Sequence, residues 1–406
     1  MVNDYLPRAG AASLAERLRI MPVTVVTGAR QAGKTTLVRD LTPDKRRYAT
    51  LDEPEAAQLA RRDPSTLLGG DRLTLDEVQR EPRVLSAVKL AVDEARVPGR
   101  FLLTGSANLL LMRRVSESLA GRASYLTLWP MARREQLGLG RYGVWDDLLG
   151  APGTEWPDLL REAAAAPEDW RSLARRGGFP VPALTLRSTT ERQVWFEGYE
   201  RTYLERDVRD LAQVASLGDF GVLLRAAALR LGQILNQSEL GRDVALPQPT
   251  VHRYLNLLET SYLLVRLPAY AVNRTKRLVK SPRIYWSDTG LALHLAGDPE
   301  PNGAHLENIV LHDLLAWRDT RIDRADVFYW RTVTGAEVDF VVETKGRVLP
   351  IEVKATVRPG FGDARHLLAF QREYRDRALP GLLLHDGDAI RWIAEGVLAV
   401  PWWRVI

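Results

Sequence analysis

The apolar positions change period along the chain, and each change marks a different kind of element. Pro22 to Thr27 reads P-V-T-V-V-T, a β-branched run that predicts a buried strand. Strand-like segments recur at Arg72 to Leu75, Phe101 to Leu103 and Ala123 to Leu128. Farther on, the period lengthens. Trp195 to Leu211 predicts a charged helix whose alternating signs support i,i+4 pairs on a solvated face. Phe220 to Leu231 predicts an apolar helix, Asn236 to Leu240 opens a short one with Ser238 as its cap, and Thr250 to Glu259 predicts a third. Leu263 to Leu267 and Arg283 to Trp286 read as strands. Ala304 to Trp317 sets Leu306, Ile309, Val310, Leu314 and Trp317 on one helical face. Strands are predicted at Val327 to Arg331, Glu337 to Val342 and Val348 to Lys354, then a helix near Asp363 to Tyr374 and a strand at Leu382 to Leu384. The pattern predicts an α/β chain with a helical middle.

The first strand runs straight into Gly28-Ala29-Arg30-Gln31-Ala32-Gly33-Lys34-Thr35, and a helix pattern follows from Thr36. This is G-x-x-x-x-G-K-[ST] in its strand–loop–helix setting, the phosphate loop of a P-loop NTPase. Glycines at 28 and 33 let the backbone curl and point N–H groups inward. The helix N-terminus adds positive potential. Gly28 to Thr36 are therefore expected to cradle ATP, with Lys34 on the β- and γ-phosphates and Thr35 on Mg²⁺. Leu73 to Leu75 ends in Asp76-Glu77, the pattern expected to hold Mg²⁺ through Asp76 and to orient the attacking water through Glu77. Two adjacent carboxylates are common at strand ends, and the complete loop upstream is what gives this pair meaning.

The third strand ends in Thr104-Gly105-Ser106-Ala107-Asn108, and here the chain resembles the AAA+ class of P-loop ATPases. The resemblance implies a polar sensor at this strand end, Thr104 or Ser106, although a turn with a helix cap explains the same residues. It also implies an arginine before the next strand that reaches a neighbouring subunit's nucleotide. Arg122 is the candidate, with Arg113 and Arg114 as rivals, and the alternative is a surface arginine. An Arg122 acting in trans would require a homo-oligomer.

The middle of the chain has the order of a winged helix-turn-helix, three helices and two strands. On that reading the helix from Thr250 offers Gln248, Thr250, His252, Arg253 and Asn256 to a DNA major groove. Arg274, Lys276, Arg277 and Lys280, between the two strands, would touch phosphates. Winged helices also serve as protein–protein joints, so a DNA partner is an expectation to be tested.

The last quarter resembles the PD-(D/E)XK nuclease-like fold, the restriction-endonuclease-like α/β arrangement. Asp339 lies in its second strand, and Glu352-Val353-Lys354 forms an E-x-K pair in its third. Alternation puts Glu352 and Lys354 on one face. The resemblance implies that Asp339 and Glu352 share a divalent ion while Lys354 activates water, with Glu307 as an additional acid on the preceding helix. The competing reading is a structural ion pair in a domain that only binds. A Gln-x-x-x-Tyr helical signature is not matched, because Gln371 and Tyr374 are one residue too close.

Four passages carry a resemblance over nearly the whole chain: G-A-R-Q-A-G-K-T-T from Gly28, L-D-E-V-Q from Leu75, L-T-G-S from Leu103, and E-V-D-F-V with I-E-V-K from Glu337 and Ile351. Together they resemble a widespread prokaryotic family that joins an AAA+-type ATPase to domain of unknown function 4143. The implied plan is an ATPase domain over 1–135, a helical lid or connector over 136–215, a winged helix over 216–295 and a nuclease-like domain over 296–406.

Composition narrows this only slightly. The chain of 406 residues contains no cysteine, which excludes disulfides, thiolate catalysis and Cys-ligated zinc. Net charge is +5, which permits a nucleic-acid partner without requiring one. No apolar run reaches the ~18 residues that would span a bilayer, and the first ten residues lack a signal peptide's apolar stretch, so no membrane partner and a cytoplasmic location are expected. Two functions compete. One is a Mg²⁺-dependent ATPase that acts on DNA and carries a metal-dependent nuclease. The other is an ATP-driven switch whose C-terminal domains only bind a partner. Glu77 beside Asp76 argues against a small-molecule kinase, since the pair suits water as the nucleophile.

Overall fold

The β-branched run after Pro22 forms β1 (Val23–Thr27), and every residue of it is buried. Such a strand needs cover on both faces, as a parallel sheet between helices provides. In the computed structural model, which describes residues 5–42, 45–105, 119–163, 166–208, 216–273, 277 and 280–406, that is its setting. Among these residues β1 joins β2 (Arg47–Thr50), β3 (Leu73–Asp76), β4 (Phe101–Thr104) and β5 (Ala123–Thr127) in a parallel sheet of order β2-β3-β4-β1-β5. The register pairs Val26 with Thr104 and Leu75 with Leu103. The C-terminal ends of β1, β3 and β4 therefore share one edge, and that edge carries the phosphate loop, Asp76 and Thr104.

The middle unit has helices Leu217–Ala228, Gln237–Asp243 and Gln248–Thr260, followed by β6 (Leu264–Leu267) antiparallel to β7 (Arg283–Trp286). The short helix is capped by Asn236, whose side chain accepts from the N–H groups of Ser238 and Glu239, so Ser238 lies inside the helix rather than capping it. Upstream, the predicted charged helix is Thr189–Thr202 and then widens into a π-helical turn, Tyr203–Val208. Its buried Phe196, Tyr199 and Tyr203 are not on a solvated face. They share an apolar cluster with Phe179, Phe220 and Tyr254.

The last unit is a sheet whose strands lie in the order β12 (Arg391–Ala394), β13 (Val397–Pro401), β11 (Gly381–His385), β10 (Arg347–Lys354), β9 (Glu337–Thr344) and β8 (Ala325–Arg331). Strands β8 (Ala325–Arg331), β9 (Glu337–Thr344) and β10 (Arg347–Lys354) are antiparallel neighbours, and β11 (Gly381–His385) runs parallel to β10. Strand alternation divides the apolar side chains between two layers. Phe340, Val342, Leu349 and Ile351 pack with Leu306, Val310 and Leu314 of the helix Gly303–Thr320. Val341 and Val348 pack with Leu367 and Phe370 of the helix Arg365–Glu373. Each fully buried leucine contributes about 1.5–3 kcal/mol. The sequence pattern stops short of β12 (Arg391–Ala394) and β13 (Val397–Pro401). The signal was Glu395-Gly396 between two apolar runs, with Gly396 at φ +77° making the hairpin turn.

The described residues of 136–215 divide between two buried clusters. Trp145, Leu148, Trp156, Leu160, Trp170 and Leu173 sit in the same buried cluster as the C-terminal sheet. Asp313 of the helix Gly303–Thr320 holds this stretch by accepting from Gly143 N (2.9 Å) and Trp145 Nε1 (2.6 Å). Among the described residues, the later part, from Phe179 through Tyr203, packs beside the phosphate loop, where Ala29 and Ala32 join its aromatic cluster.

Candidate active site

Gly28 adopts φ +139°, and a Cβ there would collide with the carbonyl oxygen of Leu128. Gly33, at φ +95°, begins the helix Lys34–Arg39 in a left-handed conformation. Both positions need glycine for backbone reasons, so the loop holds the curled form that phosphate binding requires. Ala29 and Ala32 are fully buried against the aromatic cluster, whereas Gln31 is exposed at φ +63°. Tyr199 donates its hydroxyl to the carbonyl of Arg30 at 3.4 Å. Lys34 Nζ reaches back to the carbonyls of Gly28 (3.1 Å) and Ala29 (2.8 Å), which keeps the ammonium over the cradle.

Thr35 Oγ1 donates to Oδ2 of Asp76 at 2.8 Å, and Tyr48 donates to the same oxygen at 2.8 Å. The structure thus brings together the two residues expected to hold Mg²⁺. Their donor set, a hydroxyl and a carboxylate at the mouth of a phosphate cradle, fits a hard divalent cation. Glu77 follows at φ +57°, a strained backbone conformation for glutamate, and Gln79 Nε2 donates to its carboxylate. Thr104 is fully buried at the end of β4, between β1 and β3, and its Oγ1 has no hydrogen-bond partner among the described residues. Ser106, Arg113 and Arg114 lie outside the described residues.

Arg122 is at the other end of the sheet. Its carbonyl accepts from Val23 N, at the start of β1, and its guanidinium grips Asp93 through Nε (2.6 Å) and Nη2 (2.9 Å). It does not meet the phosphate loop of its own chain. An arginine that the sequence pattern leaves unmarked does: Arg8 donates to Ala32 O (2.8 Å), Trp129 O (2.7 Å) and Glu135 Oε1 (3.0 Å), bracing the loop from behind. No local motif flags Arg8, because its partners are far away in sequence. Tyr262, at φ +57°, places its hydroxyl 3.0 Å from Thr27 Oγ1 and so joins the middle unit to the last residue before the loop.

Gln248, His252 and Arg253 are exposed on the helix Gln248–Thr260, while Thr250 and Asn256 are half-buried. Asn256 Oδ1 accepts from Arg266 Nη2 at 2.7 Å, and His252 faces Gln237 at 3.2 Å. Lys280 is exposed, and Arg274 and Lys276 lie outside the described residues. Arg277 corrects the expectation of a phosphate contact. It is buried between the rings of Tyr270 and Phe328, each 4.6 Å from its guanidinium carbon, and it pairs with Glu343 at 2.6 Å. A guanidinium held this way fastens β9 to the segment before it and is not available to DNA.

The C-terminal acids also meet. Asp339 Oδ2 accepts from Val353 N at 2.9 Å, and Lys354 Nζ contacts Glu352 Oε1 at 2.6 Å. Tyr285 donates to Glu307 Oε2 at 2.9 Å. Burial, together with the charge of Asp339, raises the carboxyls of Glu307 and Glu352 well above the ordinary range. Into this group comes Arg283 of β7, 3.2 Å from Asp339 Oδ1, 3.7 Å from Glu307 Oε2 and in contact with Glu337. Both Asp339 oxygens are engaged, and among the described residues no group of three His, Asp or Glu side chains is set to hold a metal. A divalent ion between Asp339 and Glu352, the expectation from the sequence, does not fit this arrangement. Gln371 serves the fold instead, its amide clamping the carbonyls of Leu379 (3.2 Å) and Gly396 (2.8 Å).

Loop, strand order and the Thr35–Asp76 pair define a P-loop ATPase of the AAA type. An AAA domain family matches residues 21–137, a domain of unknown function (DUF8612) matches 167–302, and a domain of unknown function (DUF4143) matches 302–405. The chain is 34% identical over 416 residues to uncharacterized proteins of Mycobacterium tuberculosis and Mycobacterium bovis, covering 97% of this chain and 83% of each of them. An uncharacterized protein of Haemophilus influenzae is 21% identical over 307 residues, covering 73% of this chain and 70% of that protein. The chain belongs to the family that joins this AAA-type ATPase domain to DUF4143. Among solved structures, a Walker-type ATPase of Pyrococcus abyssi aligns at 16% identity and TM-score 0.44, over 73% of this chain and 99% of that one. The RuvB Holliday junction branch migration motor of Thermotoga maritima aligns at 17% identity and TM-score 0.28, over 64% of this chain and 86% of that one. Among the described residues no helix is long and apolar enough to cross a membrane.

Proposed function

We propose that the chain hydrolyses ATP with Mg²⁺ and uses the reaction to change how its middle unit engages DNA. The contact between Thr35 and Asp76, at the mouth of a loop built on Gly28 and Gly33, carries the first half. In this reading Gly28 to Thr36 wrap the phosphates, and Lys34 exchanges its own loop's carbonyls for phosphate oxygens. Thr35 and Asp76 hold Mg²⁺, which neutralises phosphate charge. Glu77 leaves Gln79 to accept a proton from the attacking water, and the buried hydroxyl of Thr104, without a partner among the described residues, orients that water or the terminal phosphate. Arg122, released from Asp93, would serve a neighbouring subunit in a homo-oligomer. The test is phosphate release from ATP without any acceptor. Wild type should show it and Lys34→Ala should lose it, and equal rates from the two would overturn the reading.

The DNA half is supported by the exposed polar face of the helix Gln248–Thr260 and by its route to the loop. Tyr262 follows that helix and touches Thr27. Anisotropy with a labelled duplex should give an affinity that falls steeply with salt, and Arg253→Ala and Lys280→Ala should each lower that slope by about 1. A salt-independent affinity would point to a protein partner instead. Because Arg283 sits among the C-terminal acids, the reading favours a switch whose last domain binds without cutting.

A further inference from the structure

Glu307, Glu337 and Asp339 gather around one positive charge, and that charge belongs to the chain. Arg283 approaches Glu307, Glu337 and Asp339 together, and its side chain is only 7% exposed. Its guanidinium carbon lies 5.4 Å from the ring of Tyr329, and its Nη1 is 3.4 Å from the hydroxyl of Tyr285. The backbone is fixed as well: Arg283 pairs with Leu267 across β6 and β7 and bridges to Ile234. Arginine cannot shed its proton inside a protein, so this charge leaves the cluster only if β7 moves. Removing it would leave, among the described residues, Lys354 committed to Glu352 at 2.6 Å and Arg331 beside Glu337 at 3.5 Å, with no cation on Asp339 or Glu307. The remaining oxygen of Glu352, Oε2, is buried without a hydrogen-bond partner among the described residues. Hard divalent cations are bound by oxygen ligands of this kind.

We infer that Arg283 is a tethered counter-ion that excludes divalent metal from the cluster of Glu307, Asp339 and Glu352, making the docking of the β6–β7 hairpin and metal binding by the last domain mutually exclusive. Nothing in the sequence pattern marks it, because Arg283 precedes the C-terminal domain and reads as the first residue of a strand.

The test is Mn²⁺ binding by the full chain without nucleotide, read from loss of the free-ion electron paramagnetic resonance signal. An Asp76→Asn background removes any contribution from the phosphate-loop site. With Arg283 present, the further change Asp339→Asn should make no difference to Mn²⁺ uptake at millimolar metal. Arg283→Gln should gain about one Mn²⁺ per chain, a gain abolished by adding Asp339→Asn. Asp339-dependent uptake by the chain that retains Arg283 would overturn the inference, as would a folded Arg283→Gln chain that gains no metal. The first arm needs no change at position 283, so it can overturn the inference even if Arg283→Gln fails to fold. Neither arm depends on ATP hydrolysis.

Discussion

Thr35 and Asp76 are 41 positions apart in sequence, yet the hydroxyl of one lies 2.8 Å from a carboxylate oxygen of the other. The parallel sheet makes this contact, because β1 and β3 end at the same edge with β4 between them. Asp76→Asn keeps the size and a hydrogen-bonding oxygen but removes the charge that would face Mg²⁺. Phosphate release should fall by about 100-fold or more. The melting temperature should hardly move, which would separate lost chemistry from lost fold. An Asp76→Asn chain with wild-type turnover would contradict the assignment.

Arg8 and Glu135 form a buried pair at 3.0 Å, with side chains 5% and 0% exposed. Arg8→Ala would strip the buried Glu135 of its cationic partner, leaving the N–H groups of Ala9 and Ala132 on its carboxylate, and would free the carbonyl of Ala32 in the phosphate loop. The expected cost is about 3–5 kcal/mol of stability, measured by urea unfolding. Nucleotide affinity should weaken too, because the loop loses its brace. A loss below about 1 kcal/mol would mean that water replaces the guanidinium at little cost.

Arg122 and Lys34 can be tested together for catalysis between subunits. Arg122→Ala and Lys34→Ala chains should each be inactive alone. Mixed, they should recover part of the phosphate release, since some interfaces combine an intact loop with an intact arginine. If mixing restores nothing while the two chains co-assemble, Arg122 has only its structural tie to Asp93.

His312 and Asp313 predict opposite pH effects on stability. Burial, helped by the charge of Arg8, holds the His312 imidazole down to about 4. The unfolded chain therefore takes up a proton first as pH falls from 6.5 towards 4, and the fold loses roughly 3 kcal/mol over that window. Burial pushes Asp313 up to about 6 despite its bonds from Trp145 and Gly143. Here the folded state binds the extra proton, so its contribution is greatest at low pH and is lost as pH rises through 6. Urea midpoints between pH 4 and 8 should show His312→Leu flattening the acid limb. Asp313→Asn should instead raise stability at pH 8 relative to pH 4. The same trend in both variants would contradict the assignment.

The phosphate loop and Asp76 were legible because their chemistry is local. A glycine at φ +139° and a lysine six residues on are set by chain geometry, so spacing reveals them. The C-terminal acids were legible as strand positions for a similar reason, since alternation puts Glu352 and Lys354 on one face. Arg277 was misread because a cluster of basic residues says nothing about which member is buried, and its partner Glu343 is 66 positions away. The packing of 136–174 against the C-terminal sheet was not legible, because their tryptophans carry no sign of which sheet they cover.

By itself, the sequence determined most of the elements up to β11, the phosphate cradle and the presence of two sets of carboxylates, since each follows from short spacing or periodicity. Only the tertiary structure decided what faces those carboxylates. At Asp76 it brought a threonine hydroxyl and a tyrosine, a setting open to a metal ion. At Asp339 it brought an arginine from another unit. Both outcomes depend on which strands become neighbours, and that is settled by packing over the whole chain rather than by local preference.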